Sequence, residues 1–241
     1  MKIRPDGVLV IAIAVSRSGK SVWIKVVIQN DKRVLVFDPK GEYVAQMGFT
    51  ACRSRVELVN TLVRSRGEAK IAYVQHDKAE FDFFCQCAFN WNRQAQATII
   101  CEELANVTNA GKAAGHWGRL VSQGLAYGPK IIGTVQRGQE VDKSVISNST
   151  FVHVGRHSTM KDRAYIANQL GLEVSEIPDK KLEFIQWTSD RGKVVECDVG
   201  FPASRKTPVW PNGVPKFRSK GAGKKVLTVG PDARFKNIIY S

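Results

Sequence analysis

Short apolar runs alternate with longer segments of helical periodicity over most of the chain. The apolar runs predict strands at 8–14, 33–37, 70–74, 97–101, 130–134 and 150–154. The segments between them predict helices at 21–30, 55–66, 79–90, 116–126 and 159–170. Residues 183–188 and 193–199 are typical of a hairpin. This order predicts an α/β fold with a mainly parallel central sheet, helices on both faces and a C-terminal hairpin.

Charge sets the end of the chain apart from the rest. The 241 residues carry a formal net charge of +14, and residues 204–241 hold nine Lys or Arg and one acid, which is +8 of that charge. We therefore predict a folded domain over 1–203 and a basic arm over 204–241, containing Pro and Gly and lacking regular structure. So basic a surface favours nucleic acid as the partner, with an anionic membrane face as the alternative.

The cysteines and the hydropathy indicate a cytosolic protein. There are five cysteines, and their spacing matches no zinc site, so we expect reduced thiols. The longest apolar run, 8–15, is too short to span a bilayer.

Residues 14–21, Ala-Val-Ser-Arg-Ser-Gly-Lys-Ser, follow the first predicted strand and precede the first predicted helix. This spacing is typical of a phosphate-binding loop, in which backbone amides and a lysine contact the phosphates and a hydroxyl binds Mg²⁺. Lys20 supplies the cation and Ser21 the hydroxyl, so ATP and Mg²⁺ are the expected cofactors. The alternative is an ordinary strand–turn–helix with an exposed Lys20. The residues expected to bind nucleotide are Ala14, Ser16, Arg17, Ser18, Gly19, Lys20, Ser21 and Val22.

Polar residues at the ends of two later strands complete the predicted ATP site. Glu102 and Glu103 follow the fourth strand, where Glu102 is expected to serve Mg²⁺ and Glu103 to act as general base. Gln136 follows the fifth strand and could sense the γ-phosphate or hold the attacking water. The alternatives are two solvated acids and a surface glutamine.

In this combination the sequence resembles the HerA–FtsK class of DNA-pumping ATPases. The resemblance covers about residues 7–172. It implies a RecA-like (ASCE) P-loop fold and a ring, commonly a hexamer. The short length is most similar to the genome-packaging ATPases of tailless viruses with an internal membrane, the tectivirus type, which drive double-stranded DNA into a preformed capsid. The motifs that carry it are the phosphate loop, Val34–Tyr43 (containing Asp-Pro-Lys-Gly-Glu-Tyr), Ile99–Glu103, Ile131–Arg137 with Glu140 and Val141, and Phe151–Arg156.

Two departures from the family pattern affect the predicted site. Glu102 stands where the family usually has aspartate. The stretch 124–128 lacks the arginine that the family often uses to reach the neighbouring subunit's ATP. The candidates for that trans-acting arginine are therefore Arg119, Arg137 and Arg156.

The leading hypothesis is a DNA translocase of virion assembly. Its expected partners are double-stranded DNA, portal-vertex proteins of the capsid and, peripherally, the viral membrane or its proteins. It would act in the host cytoplasm and at the packaging vertex of the virion. DNA contact is expected from the loop 109–119 and from the basic arm. The alternatives are a filamentous-phage secretion ATPase of the zonula-occludens-toxin type and a nucleic-acid-binding protein with a regulatory ATP site.

Overall fold

The computed structural model describes residues 6–65, 67–140, 142–189, 192–200, 216–219 and 226–227. Its strands are β1 (Val8–Ile13), β2 (Arg33–Phe37), β3 (Thr50–Cys52), β4 (Ala69–Tyr73), β5 (Thr98–Cys101), β6 (Lys130–Val135), β7 (Phe151–Gly155), β8 (Glu183–Thr188), β9 (Gly192–Gly200), β10 (Lys216–Ser219) and β11 (Val226–Leu227). Its α-helices are α1 (Lys20–Val27), α2 (Glu42–Met47), α3 (Arg55–Arg64), α4 (Lys78–Gln94), α5 (Leu104–Val107), α6 (Gly115–Ser122), α7 (Lys143–Ser147) and α8 (Met160–Leu170).

Every strand and helix predicted from the sequence has a counterpart, with boundaries that differ by a few residues. The short elements α2, β3, α5 and α7 were not predicted. Each has three to six residues, which is less than the span over which a helical or strand period can be recognised. The predicted helix at 116–126 is divided into α6 and a 3₁₀ turn, Gly124–Tyr127.

The chain divides into two compact units. The first comprises residues up to Ile11, Asp31–Val135 and Gln139–Ser149. Its strands lie in the order β6-β5-β2-β4-β3, and all four pairings are parallel. All residues of β2 and β5 are buried, as expected for parallel strands covered on both faces. The predicted parallel sheet is thus confirmed.

Aromatic packing against β2 fixes α4, the longest helix of this unit. The ring of Phe37, at the end of β2, lies 5.1 Å from that of Phe81 and 5.5 Å from that of Phe84. Asp77 caps the helix, since its side chain accepts a hydrogen bond of 2.9 Å from the Glu80 amide. The carboxyl ends of β2, β5 and β6 are therefore held at one edge of a rigid sheet, where polar side chains follow each strand.

The second unit comprises Ala12–Asn30, Gln136–Gly138 and the described residues from Thr150 onward. Here β7, β8, β9 and β10 are joined by antiparallel pairings. The predicted C-terminal hairpin is β8 and β9, in which Glu183 lies opposite Asp198 and Thr188 opposite Gly192.

The structure of the basic arm differs from the prediction in two short segments. β10 and β11 lie within 204–241, where no regular structure was expected, and β10 pairs with β9 from Lys216 opposite Gly200 to Ser219 opposite Cys197. The physical reason is that β9 pairs with β8 along one edge and leaves backbone donors and acceptors on its other edge, which β10 takes up. Other residues of the arm lie outside the described residues, and the domain boundary at 203 stays a prediction. Among the helices that are described, none is long and apolar enough to cross a membrane.

Candidate nucleotide and acid sites

The phosphate loop of the second unit leaves β1 at Ile13 and enters α1 at Lys20. Arg17 and Gly19 have φ angles of 61° and 93°, in the left-handed region. A loop with such residues can turn its backbone N–H groups towards one point, which makes an anion-binding concavity at the start of a helix. The Val15 amide donates a hydrogen bond of 3.0 Å to the Arg156 carbonyl, so the loop is fastened to the end of β7.

Lys20 is half-buried, and its ammonium group bends back over the loop. It donates hydrogen bonds to the carbonyl oxygens of Ala14 and, at 3.2 Å, of Val15. The alternative of an exposed lysine on an ordinary turn is therefore not what the structure has. The loop backbone thus holds the positive charge of Lys20 against Ala14 and Val15.

The other residues of the loop differ in exposure. Ser16 and Arg17 are exposed, while Ser21 and Val22 are half-buried in the first turn of α1. The Ser18 side chain is buried, and its hydroxyl has no hydrogen-bond partner among the described residues. Buried hydroxyls normally have a partner, so this one marks a place where the loop is incomplete without a further polar group.

Two residues of β7 support the loop and were not predicted to do so. A Cβ atom added to Gly155 would lie 2.8 Å from Cβ of Ala14. The methyl group of Ala14, where glycine is usual, is thus accommodated because residue 155 is glycine. The His153 ring stacks on Trp23 of α1 with centroids 4.2 Å apart. Burial, with the charge of Lys20 as a smaller cause, lowers the pKa of His153 to about 3, so this histidine is neutral beside the loop.

The two acids of the first unit follow β5 and are held in different ways. Glu102 is fixed by two hydroxyl groups: Tyr43 donates to Oε1 at 2.7 Å and Thr134 donates to Oε2 at 2.6 Å. The Thr134 oxygen also accepts from the Glu103 amide at 2.8 Å. The carboxylate of Glu102 is therefore oriented before any ligand binds. The alternative of two freely solvated acids does not describe Glu102.

Glu103 has a φ angle of 55°, in the left-handed region. Its Oε1 forms an ion pair with Lys40, and its Oε2 accepts a hydrogen bond of 3.1 Å from the Asn106 side chain. Contact with Glu103 raises the pKa of the Lys40 ammonium group, with burial acting in the opposite direction. The side chain of Glu103 is 19% exposed, so it remains reachable by water.

Sequence reasoning missed four residues that contact these acids: Lys40, Tyr43, Asn106 and Thr134. The Asp-Pro-Lys-Gly-Glu-Tyr motif was visible in the sequence, but neither Lys40 nor Tyr43 was predicted to contact the acids. Glu42 lies at the start of α2, and its amide binds Asp38 at 3.0 Å. Contacts such as that of Tyr43 with Glu102 join positions 59 residues apart, a separation that spacing alone does not reveal.

The remaining predicted residues are scattered. Gln136 and Arg137 are exposed just after β6 and belong to the second unit. Arg119 is exposed on α6 of the first unit, with its guanidinium group 4.4 Å from the centre of the Phe89 ring. Arg156 is half-buried at the end of β7, and its Nε atom has no hydrogen-bond partner.

Comparison with known proteins supplies a relative and a fold. The chain is 28% identical over 197 residues to "Protein P9" of Pseudoalteromonas phage PM2, and the match covers 77% of this chain and 87% of that protein. This chain is a homologue of P9. No protein-family profile matches it.

Several of the solved structures that match are of B204, the genome-packaging NTPase of Sulfolobus turreted icosahedral virus 2. Its complex with AMPPCP has a TM-score of 0.64 at 15% identity, over 77% of this chain and 94% of that one. Its complex with ATP-gammaS has a TM-score of 0.63 at 15% identity, over 79% and 96%. At the structural level the homologue of P9 thus matches viral genome-packaging NTPases and has their RecA-like P-loop fold. The predicted resemblance to the HerA–FtsK class agrees with both comparisons.

Proposed function

We propose that this protein is an ATP-driven translocase that packages double-stranded DNA into a preformed viral capsid. The main support for the proposal is the phosphate loop, in which Lys20 binds the loop backbone. The chain that contains this loop has the fold of a genome-packaging NTPase. The pair Glu102 and Glu103 supports it, because an ATPase needs an acid for the metal and an acid for the attacking water.

The residues of the loop fit a nucleotide triphosphate. The amides of Ser16–Gly19 and the ammonium group of Lys20 would hold the phosphates. The unpartnered Ser18 hydroxyl and the left-handed Arg17 and Gly19 agree with a loop shaped for an anion.

Oxygen ligands for Mg²⁺ are present as well. The Ser21 hydroxyl would bind the ion directly, and Glu102 would act through its water shell, as suits a hard cation that keeps its waters. The Tyr43 and Thr134 hydroxyls orient that carboxylate. Bound Mg²⁺ would neutralise charge on the β- and γ-phosphates. Glu103 would take the proton of the attacking water, and Gln136 would orient that water.

DNA phosphates are the proposed partner of the first unit's basic surface. Lys112 and Arg119 are exposed and line a concavity of about 450 Å³ together with Ser122 and Asn148. His116 anchors the start of α6 to α4, since its backbone amide and its ring both bind Asp82, at 2.8 and 2.7 Å. One exposed cation on this fixed helix, Arg119, and another shortly before the helix, Lys112, suit contact with phosphates without reading of sequence.

A ring, with a hexamer favoured, is the proposed working form. We propose Arg119 or Arg137 as the trans-acting arginine of the ring. Arg156 is less suited because its backbone carbonyl binds Val15 of the same subunit's phosphate loop. Portal-vertex proteins, with the viral membrane or its proteins as a peripheral contact, are the proposed partners on the virion. The proposed places of action are the host cytoplasm and the packaging vertex.

The experiment that tests the proposal is ATP turnover with and without duplex DNA. We expect turnover that rises with DNA and is abolished in Lys20→Ala. A regulatory ATP site predicts binding of ATP with negligible turnover that DNA does not stimulate, and that result would refute the motor.

The basic arm has its own test. We propose that it adds non-specific affinity for DNA phosphates or docks the motor on an acidic partner, and that it is not part of the ATP site. A chain ending at Pro202 should then keep its basal ATP turnover while its DNA affinity depends less steeply on salt. Loss of basal turnover with an unchanged salt dependence would show that the arm is structural.

A further inference from the structure

Residues 38–43, which follow β2 and include the first two residues of α2, touch both carboxylates of the acid site. Tyr43, at the end of this segment, donates to Glu102, and Lys40, in its middle, pairs with Glu103. A six-residue segment therefore controls the two acids separately, one through a neutral hydroxyl and the other through a charge.

The segment is held in shape by its first residue. Asp38 is buried, and its two carboxylate oxygens accept hydrogen bonds from the amides of Glu42 at 3.0 Å and Tyr43 at 2.9 Å. The Gly41 amide closes the turn on the Asp38 carbonyl at 3.1 Å, with a Gly41 φ angle of 68°. The backbone that carries Lys40 is thus fixed, and only the lysine side chain is free to move.

The two contacts with acids differ in strength. The Tyr43 side chain is buried and packs on Phe49 with ring centroids 5.6 Å apart, so its hydrogen bond to Glu102 is sheltered from water. The Lys40 side chain is 56% exposed. Exposed ion pairs are weak and open readily.

The state of Glu103 in the structure is not that of a working general base. Hydrolysis requires that the water oxygen bond to the γ-phosphorus, that a water proton pass to the Glu103 carboxylate, and that the bond from the γ-phosphorus to the bridging oxygen break, leaving the electron pair on ADP. Lys40 occupies Oε1 of Glu103 and Asn106 occupies Oε2. Both oxygens of Glu103 are thus engaged by protein side chains, so the Lys40 contact must open before Oε1 can turn towards a water molecule.

We propose that Lys40 is a positioning residue that restrains Glu103 in the resting protein and must release it for each hydrolysis. The inference rests on the proposed function, since it takes Glu103 as the base. Such a restraint lowers turnover without DNA. We expect DNA binding to favour its release, so the restraint also increases the ratio by which DNA stimulates turnover.

The test compares Lys40→Met, which removes the charge but keeps the length, with Lys40→Arg, which keeps the charge. An exposed pair restrains by a small factor, so we expect Lys40→Met to raise kcat without DNA about 2–5-fold. We expect its KM for ATP to be unchanged and its stimulation by DNA to be reduced. Lys40→Arg should behave as the wild type.

Lys32→Ala is the matched control, because Lys32 pairs with Glu68 in the same unit and both side chains are well exposed. It should leave kcat unchanged. In Lys40→Met/Glu103→Gln the gain should vanish, because the restrained group is gone.

The outcomes separate this inference from the function on which it rests. If the wild type does not hydrolyse ATP, both the proposed function and the restraint by Lys40 are refuted. A wild type that turns ATP over, with Glu103→Gln strongly impaired but Lys40→Met equal to or slower than the wild type, overturns the restraint alone. A gain in Lys40→Met that persists in the double variant shows that Lys40 acts elsewhere, and this also overturns it.

Discussion

The contact between Gly155 and Ala14 predicts that a single methyl group will displace the phosphate loop. A Cβ atom at position 155 would lie 2.8 Å from Cβ of Ala14, whereas carbon atoms in contact lie about 3.5–4.0 Å apart. Gly155→Ala must therefore move β7 and the loop apart by about 0.7–1.2 Å. Overpacking of this kind costs about 1–3 kcal/mol of the free energy of unfolding.

The displacement should also reach the nucleotide site, because Val15 is bonded to Arg156 next to the clash. Urea unfolding with an unchanged slope should give the loss of stability. Titration with a fluorescent ATP analogue should give a weaker affinity for Gly155→Ala than for the wild type.

Removal of the opposing methyl group should rescue the variant. Ala14→Gly/Gly155→Ala should recover most of the lost stability, with a coupling energy of at least about 1 kcal/mol in the double-mutant cycle. Gly124→Ala is the control for the same substitution, because its Cβ would lie 3.3 Å from Cδ1 of Leu120, the end of a side chain that can move. A Gly155→Ala protein as stable as the wild type, or one that Ala14→Gly does not rescue, would refute the packing argument.

Five further substitutions test the site and its surroundings. Lys20→Ala should abolish ATP hydrolysis while the far-ultraviolet circular dichroism stays that of the wild type, and normal turnover in the folded variant would contradict the ATP site. Glu103→Gln should bind the fluorescent analogue but hydrolyse ATP about 100-fold more slowly; if its rate stays near that of the wild type, Glu103 is not the base. His153 has a folded pKa of about 3, below its unfolded value of about 6.5, so the unfolded state takes up the proton first and stability falls as the pH drops through 6.5. That loss is about 2 kcal/mol by pH 5, and His153→Gln should reduce it; an identical acid profile in urea unfolding would count against the buried neutral ring. Lys112→Ala and Arg119→Ala should each lower the slope of log affinity for duplex DNA against log salt by about 0.9, and unchanged slopes would place DNA elsewhere.

The parallel sheet and the phosphate loop were predictable because their signals are local. Buried parallel strands are continuous apolar runs, and a phosphate loop is one short stretch between a strand and a helix. The elements Glu42–Met47 and Leu104–Val107 were missed because six and four residues show no usable period. They are held instead by tertiary contacts, such as the bond from Tyr43 to Glu102.

The place of the two acids after a strand was predictable from the sequence and led to the roles proposed for them, but their surroundings were not predictable. Lys40 follows β2, and Thr134 lies near the end of β6. Only the parallel pairing of β2, β5 and β6 brings Lys40 to Glu103 and Thr134 to Glu102. The fit of Ala14 against Gly155 joins positions 141 apart in the same way. Neither residue of such a pair carries a recognisable signal in the sequence, and the contact between them is visible only in the folded structure.

In the proposed function, ATP hydrolysis moves the protein along double-stranded DNA. The most direct measurement is displacement of a fluorescent third strand from a triplex on linear duplex DNA. We predict displacement by the wild type with ATP, no displacement by Lys20→Ala or with a non-hydrolysable analogue, and a delay that increases with the length of duplex before the triplex. DNA-stimulated ATP turnover without displacement would contradict translocation, and displacement that proceeds equally in Lys20→Ala would show that ATP does not drive it.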